Sequence, residues 1–196
     1  MMRDIDFEEL ASMAADAKNA LYAKAGGTPT IYLHWSAGHY NQTFDDYHIN
    51  IKGNGDIVAS TDDLSETLAH TYHRNTGAIG ISLSCGYGAN TKDLGDEPPT
   101  EAQIENMAYA VAVLCYVLDI PIDKMHVMTH GEAADNEDGR CPHEPYGPRT
   151  TCERWDLEYL GTEESPSFNP WADDGSRGGD VIRGKANWYM NEYFNQ

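Results

Sequence analysis

The longest apolar run in the chain, Ala108 to Leu118, carries no charge and lies inside a strong helical signal. Thr100-Glu101-Ala102-Gln103 forms a capping box that opens this helix, and Pro121 stops it just past Leu118. A bilayer span needs roughly 20 consecutive apolar residues, so this helix is too short for one and no stable membrane insertion is expected. Short β-branched and apolar stretches surround it: Thr30 to Leu33, Tyr47 to Ile51, Ile57 to Ala59, Ala78 to Leu83 and Met125 to Met128. Gly53-Asn54-Gly55-Asp56 separates the second from the third as a hairpin signal. Asp6 caps an earlier helix in which Phe7, Leu10, Ala14, Ala17 and Leu21 recur at helical spacing until Gly26-Gly27. Val181 to Phe194 reads as a closing helix weakened by Gly184. Strands mixed with long helices predict one α/β domain, a central mixed β-sheet flanked by helices.

Charge and cysteine usage narrow the class further. Asp and Glu number 32 against 13 Lys and Arg, for a formal net charge of -19 over 196 residues. That balance argues against a surface for DNA or RNA. The opening MMRDIDFEEL has neither the basic nor the apolar region of a secretory signal. Synthesis in a cytoplasm without an export signal is therefore expected. The cysteines are Cys85, Cys115, Cys141 and Cys152, with no C-x-x-C pair, so a cysteine-only zinc site is not expected. Cys115 lies in the apolar run and reads as a buried thiol. Cys141 and Cys152 share a long loop, 131 to 155, and could pair. A second polar stretch runs from Gly161 to Gly179.

Two histidines stand where strands end: His34 after Ile31-Tyr32-Leu33, and His130 after Val127-Met128-Thr129. A sheet edge holds side chains rigidly. Two imidazoles with a carboxylate or thiolate can bind zinc and leave a fourth position open. The plainer alternative is a pair of partly buried histidines, since eight histidines in one chain make chance placement easy.

Five pieces in order resemble the type-2 N-acetylmuramoyl-L-alanine amidases, whose fold is shared with phage amidase-type lysozymes and peptidoglycan recognition proteins. They are Ile31-Tyr32-Leu33-His34; Tyr47-His48-Ile49-Asn50-Ile51 with Gly55-Asp56-Ile57; His70 with Asn75, leading to Ile79-Gly80-Ile81; Pro99-Thr100-Glu101-Ala102-Gln103; and His130 followed later by Arg154-Trp155-Asp156. The resemblance spans about Thr30 to Leu157. It implies a catalytic core of about residues 28–160 within a single domain 1–196, with an N-terminal helix (6–25) and a C-terminal segment (161–196) as extensions. It implies a Zn2+ enzyme that cuts the amide between the lactyl group of N-acetylmuramic acid and L-alanine in peptidoglycan, with the metal at the sheet edge.

The same resemblance implies residue roles. His34 and His130 carry over as zinc ligands, and Asp156, two residues after Arg154, as the third. Cys152 and Cys141 are the rival third ligands, and Leu157-Glu158 replaces the Pro-Gly that often follows the ligand. Tyr47 carries over as the catalytic tyrosine, against an aromatic that merely packs on the hairpin. Arg154 would face the oxyanion, against a solvated loop charge. His70, Asn75 and Trp35 would line the substrate groove. A Glu found in some members after the Ile-Gly-Ile strand is absent, because Ile81-Ser82-Leu83-Ser84 stands there. Glu132 is the alternative base. The acidic tract of Glu132, Asp135, Glu137 and Asp138 misses the EF-hand pattern and reads as a solvated loop. The implied biology is a phage or prophage endolysin, a monomer that reaches the wall through a holin-type pore. The alternatives are a non-hydrolytic peptidoglycan-binding module, a cytoplasmic muropeptide-recycling amidase, or a delivered toxin.

Overall fold

A computed structural model describes residues 1–140 and 144–195. The elements in chain order are β1 (Arg3–Ile5), α1 (Phe7–Ala25), β2 (Thr30–Trp35), β3 (Ile49–Ile51), β4 (Ile57–Ala59), β5 (Ala78–Leu83), α2 (Glu101–Leu118), β6 (Val127–Thr129), α3 (His130–Ala134) and α4 (Gly178–Tyr193). The strands form one six-stranded sheet in the order β1-β4-β3-β5-β2-β6. The β1/β4 and β3/β4 pairs are antiparallel, and β3/β5, β2/β5 and β2/β6 are parallel. The mixed sheet with flanking helices is the architecture that the patterning predicts.

Side-chain alternation gives the sheet two unlike faces. Ile31 and Leu33 of β2, Ile79 and Ile81 of β5, Ile49 and Ile51 of β3 and Val127 of β6 join one core with α1, α2 and α4. The residues between them, among them Tyr32, His34, Asn50 and Ser82, fall on the opposite face. There Tyr32, Met128 and Ala133 of α3 form a small separate apolar cluster. The register sets His34 beside Ser82, and Ser82 beside Asn50, along one row of that second face.

The helices start and stop for identifiable reasons. Asp6 caps α1 by accepting from Glu9 N at 2.8 Å, and Gly26 ends it at φ 66°. Thr100 and Gln103 complete the capping box of α2. Gln103 Nε2 also donates to Ile51 O at 3.0 Å and Ser84 O at 2.9 Å, which ties the helix start to the ends of β3 and β5. Among the described residues no helix is long and apolar enough to cross a membrane.

Several boundaries differ from those read in sequence. β1 is an added edge strand, too short for any periodicity to show. β3 begins at Ile49 rather than Tyr47, and β6 spans Val127–Thr129 rather than beginning at Met125. His34 lies inside β2, not after it. α2, by contrast, ends at Leu118 as read, with Asp119 as its C-cap in the left-handed region at φ 56°. Residues 130–134 form a helix where a loop is expected, because Thr129 and Glu132 make a second capping box. α4 begins at Gly178 and runs through Gly184.

The acidic tract is also not a solvated loop. Asp138 pairs with Arg74 at 2.7 Å with both side chains 2% exposed, Glu137 pairs with Arg177 at 2.9 Å, and Glu132 pairs with Arg183 at 2.8 Å. Carboxylates this buried need such partners.

Candidate metal centre

Three side chains meet at the carboxyl end of the sheet. His34 comes from β2, His130 from the first residue of α3, and Asp156 from a turn between the long loop and the C-terminal segment. His34 Nδ1 lies 3.1 Å from His130 Nδ1 and 3.4 Å from Asp156 Oδ2, and His130 Nδ1 lies 3.3 Å from the same oxygen. All three residues are buried. A tetrahedral ion with bonds of about 2.0–2.1 Å has ligand–ligand edges of about 3.3–3.4 Å. The three donor atoms thus already stand at the corners of such a face, and two imidazoles with a carboxylate are a fitting donor set for zinc.

Burial and charge act on the group together. Burial pushes the His34 imidazole down to about 4, although Asp156 pulls the other way. Burial would raise the Asp156 carboxyl, but His130 and His34 hold it well below the usual carboxylate range. The cluster therefore presents a neutral His34 and an ionised carboxylate at neutral pH.

Behind His34 lies a polar layer that the sequence motif does not reveal. His34 Nε2 is 3.3 Å from both His70 Nδ1 and Thr71 Oγ1, and those two atoms are 2.9 Å apart. His70 is 6% exposed, so most of its ring backs His34 instead of facing solvent. Gly80 makes room for it, since a Cβ there would stand 2.8 Å from His70 Cγ and Cδ2. Asn75 Oδ1 accepts from His70 N at 3.1 Å and Thr71 N at 2.7 Å, which pins this loop. His48 is tied at both ends: Nδ1 accepts from Gly80 N at 3.0 Å and Nε2 donates to Glu66 O at 2.8 Å.

Two cavities flank the cluster. One, of about 500 Å³, is bordered by His70, Tyr72, Asn75 and Tyr146. The other, of about 310 Å³, is bordered by Trp35, Tyr47, Trp155 and Asp156. Both are also lined by His130, Glu153 and Arg154, so they meet at His130 and the Glu153–Arg154 rim. The Tyr47 ring lies 5.0 Å from the His34 ring, and burial keeps its phenol protonated far above the ordinary range. Trp35 packs edge-on against Trp155 at 4.9 Å. Arg154 is exposed on the shared rim, where its Nη1 donates to Glu153 O at 3.0 Å.

Two alternatives raised by the sequence fall away here. Glu132, the alternative base, is 1% exposed and spent on Arg183 and on Thr129 N, so it does not face either cavity. Cys152 is a free thiol that does not belong to the His34–His130–Asp156 group. Its suggested partner Cys141 lies outside the described residues. Thr71 and Glu153 are additions that no spacing in the sequence singles out.

The family model for N-acetylmuramoyl-L-alanine amidase matches residues 17–144. The chain belongs to the N-acetylmuramoyl-L-alanine amidase family. No curated protein and no solved structure matches it. The amidase match takes in His34, Tyr47, His70, Asn75 and His130, and ends before Arg154 and Asp156. The family activity is hydrolysis of an amide in peptidoglycan, and the buried His-His-Asp group of this amidase could hold a metal ion.

Proposed function

We propose that the chain is a zinc-dependent amidase that cuts the bond between the lactyl carbonyl of N-acetylmuramic acid and L-alanine in the bacterial wall, as an endolysin does. The observation that carries this reading is the convergence of three buried donors, at tetrahedral spacing, where two cavities meet. His34, His130 and Asp156 would hold the ion. Bound there, zinc would supply water activated for attack at neutral pH and would polarise the scissile carbonyl.

The residues of the chain do the rest. With Nδ1 turned to the cluster, His34 carries its proton on Nε2 and donates it toward Thr71 Oγ1 and His70 Nδ1, which fixes the ring. Tyr47 keeps its proton, so it serves as a hydrogen-bond donor to charge that develops on the carbonyl oxygen. Arg154 adds a fixed cation on the rim shared by both cavities. His70, Asn75 and Trp35 border the groove on its two sides. The groove runs past the cluster in both directions, which suits a substrate that continues on both sides of the cut bond. Residues 28–160 carry all of these groups and form the catalytic core of this reading.

Digestion of purified sacculi tests it. New L-alanine amino termini and free lactyl carboxyls are expected, with loss of activity on chelation and return on adding zinc. Sacculi that bind the protein but release no such termini overturn the hydrolytic reading. Release of soluble muropeptide stems without clearing of sacculi overturns the endolysin role alone.

Tyr47→Phe removes the phenolic donor and little else. Turnover is expected to fall about 10²-fold, with zinc content and thermal midpoint unchanged. An unchanged turnover would reassign Tyr47 to packing beside His34.

A further inference from the structure

α4 opens on Gly178-Gly179, and each glycine sits where the helix meets a ligand-bearing segment. A Cβ on Gly178 would stand 1.8 Å from Leu157 O, next to Asp156 in sequence. A Cβ on Gly179 would stand 2.6 Å from Glu132 Oε1 and 2.9 Å from Thr129 Cγ2, either side of His130. Only glycine lets the helix approach this closely.

Two arginines then grip the same segments. Arg177 meets Glu158 through Nε–Oε1 at 2.6 Å and Nη2–Oε2 at 3.1 Å. Arg183 meets Glu132 through Nη1–Oε1 and Nη2–Oε2, both at 2.8 Å. Glu158 lies two residues after Asp156, and Glu132 lies two residues after His130. In both pairs every side chain is at most 8% exposed. Such two-pronged pairs fix orientation as well as distance.

The Asp156 segment needs holding. Residues 155–158 form a turn closed by Glu158 N donating to Trp155 O at 3.0 Å. Its third residue, Leu157, has φ 59°, a left-handed conformation at a turn position that favours glycine. Gly178 N donates to Glu158 O at 3.0 Å and Arg177 takes the Glu158 carboxylate, so the turn is anchored just past its strained residue.

We infer that α4 is a two-point clamp on the metal centre: Arg177 and Arg183 are positioning residues that act through Glu158 and Glu132 to keep Asp156 and His130 within reach of one ion. The inference rests on the zinc reading above. α4 lies outside the family match at 17–144, so the clamp is a device of the C-terminal segment.

Zinc affinity, measured by competition with a chromophoric chelator, tests the clamp. The double variant Arg177→Met with Glu158→Leu removes both charges of that pair, and Glu137, which also meets Arg177, keeps Lys124 and Arg149 as partners. It is expected to bind zinc 10- to 100-fold more weakly than wild type, with a metal-free thermal midpoint close to wild type. Leu10→Ala, in the α1 core, serves as the reverse case: a lower midpoint with zinc affinity unchanged. A double variant within twofold of the wild-type affinity overturns the clamp. Hydrogen exchange on the wild-type chain gives a second reading that needs no variant. Because coupling is reciprocal, zinc should slow exchange of the Val181 and Ile182 amides at least tenfold, and unchanged exchange there overturns the clamp. A wild-type chain that binds no zinc overturns the zinc reading itself, whereas zinc bound equally by both proteins overturns the clamp alone.

Discussion

Asp156→Ala is expected to leave purified protein without zinc and to reduce amide cleavage by roughly 10⁴-fold or more, the scale of losing the activated nucleophile. Asp156 Oδ2 lies within 3.4 Å of both histidine donors. Its carboxyl is ionised despite burial because His130 and His34 face it. Alanine leaves two imidazoles and an open side, which is too few ligands for a tight site. Cys152→Ser should keep zinc and activity. Cys152 stands outside the His34–His130–Asp156 group. Metal analysis after gel filtration, together with product analysis on sacculi, decides between the two. Zinc retained by Asp156→Ala but lost by Cys152→Ser would make the centre a two-His, one-Cys site.

The second large effect is on stability and is measured on the metal-free chain. Burial lowers His34 to about 4, lowers His48, and lowers His70 far more. In the unfolded chain each would titrate near 6.5. Above that pH both states are neutral and these groups contribute nothing to the pH dependence. Below it the unfolded chain takes up protons that the folded chain refuses, so stability falls as pH falls. Each fully refused proton is worth about 1.4 kcal/mol per pH unit. Because an unfolded imidazole is only half protonated at pH 6.5, His34 and His70 together should cost the metal-free fold about 3 kcal/mol between pH 6.5 and 5. For His34 the loss ends near its folded value of about 4. Asp156 acts in the same direction at lower pH, because its depressed carboxyl resists protonation until well below the usual carboxylate range. The charge of -19 acts oppositely, since neutralising carboxylates relieves repulsion, but that begins near their own titration range, below about pH 5. Urea unfolding of the metal-free chain at pH 7, 6 and 5 measures the slope. A flat profile across that interval would mean that these imidazoles accept protons in the folded state.

Sequence patterns carry the parts of this molecule that repeat or stand at fixed offsets. The caps Asp6 and Thr100, the helical spacing from Phe7 to Leu21 and the strand runs at 30–33 and 78–83 can all be read directly, and they suffice for the sheet and its two long helices. His34 and His130 stand out because each adjoins a strand, and the structure brings them together with Asp156. Pairings across long loops leave no such trace. Nothing near Glu132 announces Arg183, 51 residues on, so an inward ion pair looks like a loop charge. His70 reads as a groove residue, and its second role, backing His34 in the space left by Gly80, shows only in the fold. β1 is three residues long and is defined only by its pairing to β4.

The two faces of the sheet divide the molecule's labour by parity. Along β2 and β5, odd-numbered residues bury into the helical core, and even-numbered ones, with His34 and Ser82 side by side, turn to the face that carries α3 and the candidate metal centre. A substitution confined to Ser82 could therefore place a new group beside His34 while the helical core stays unchanged, whereas Tyr32 and Gly80 on the same face are held by their packing against Met128 and His70.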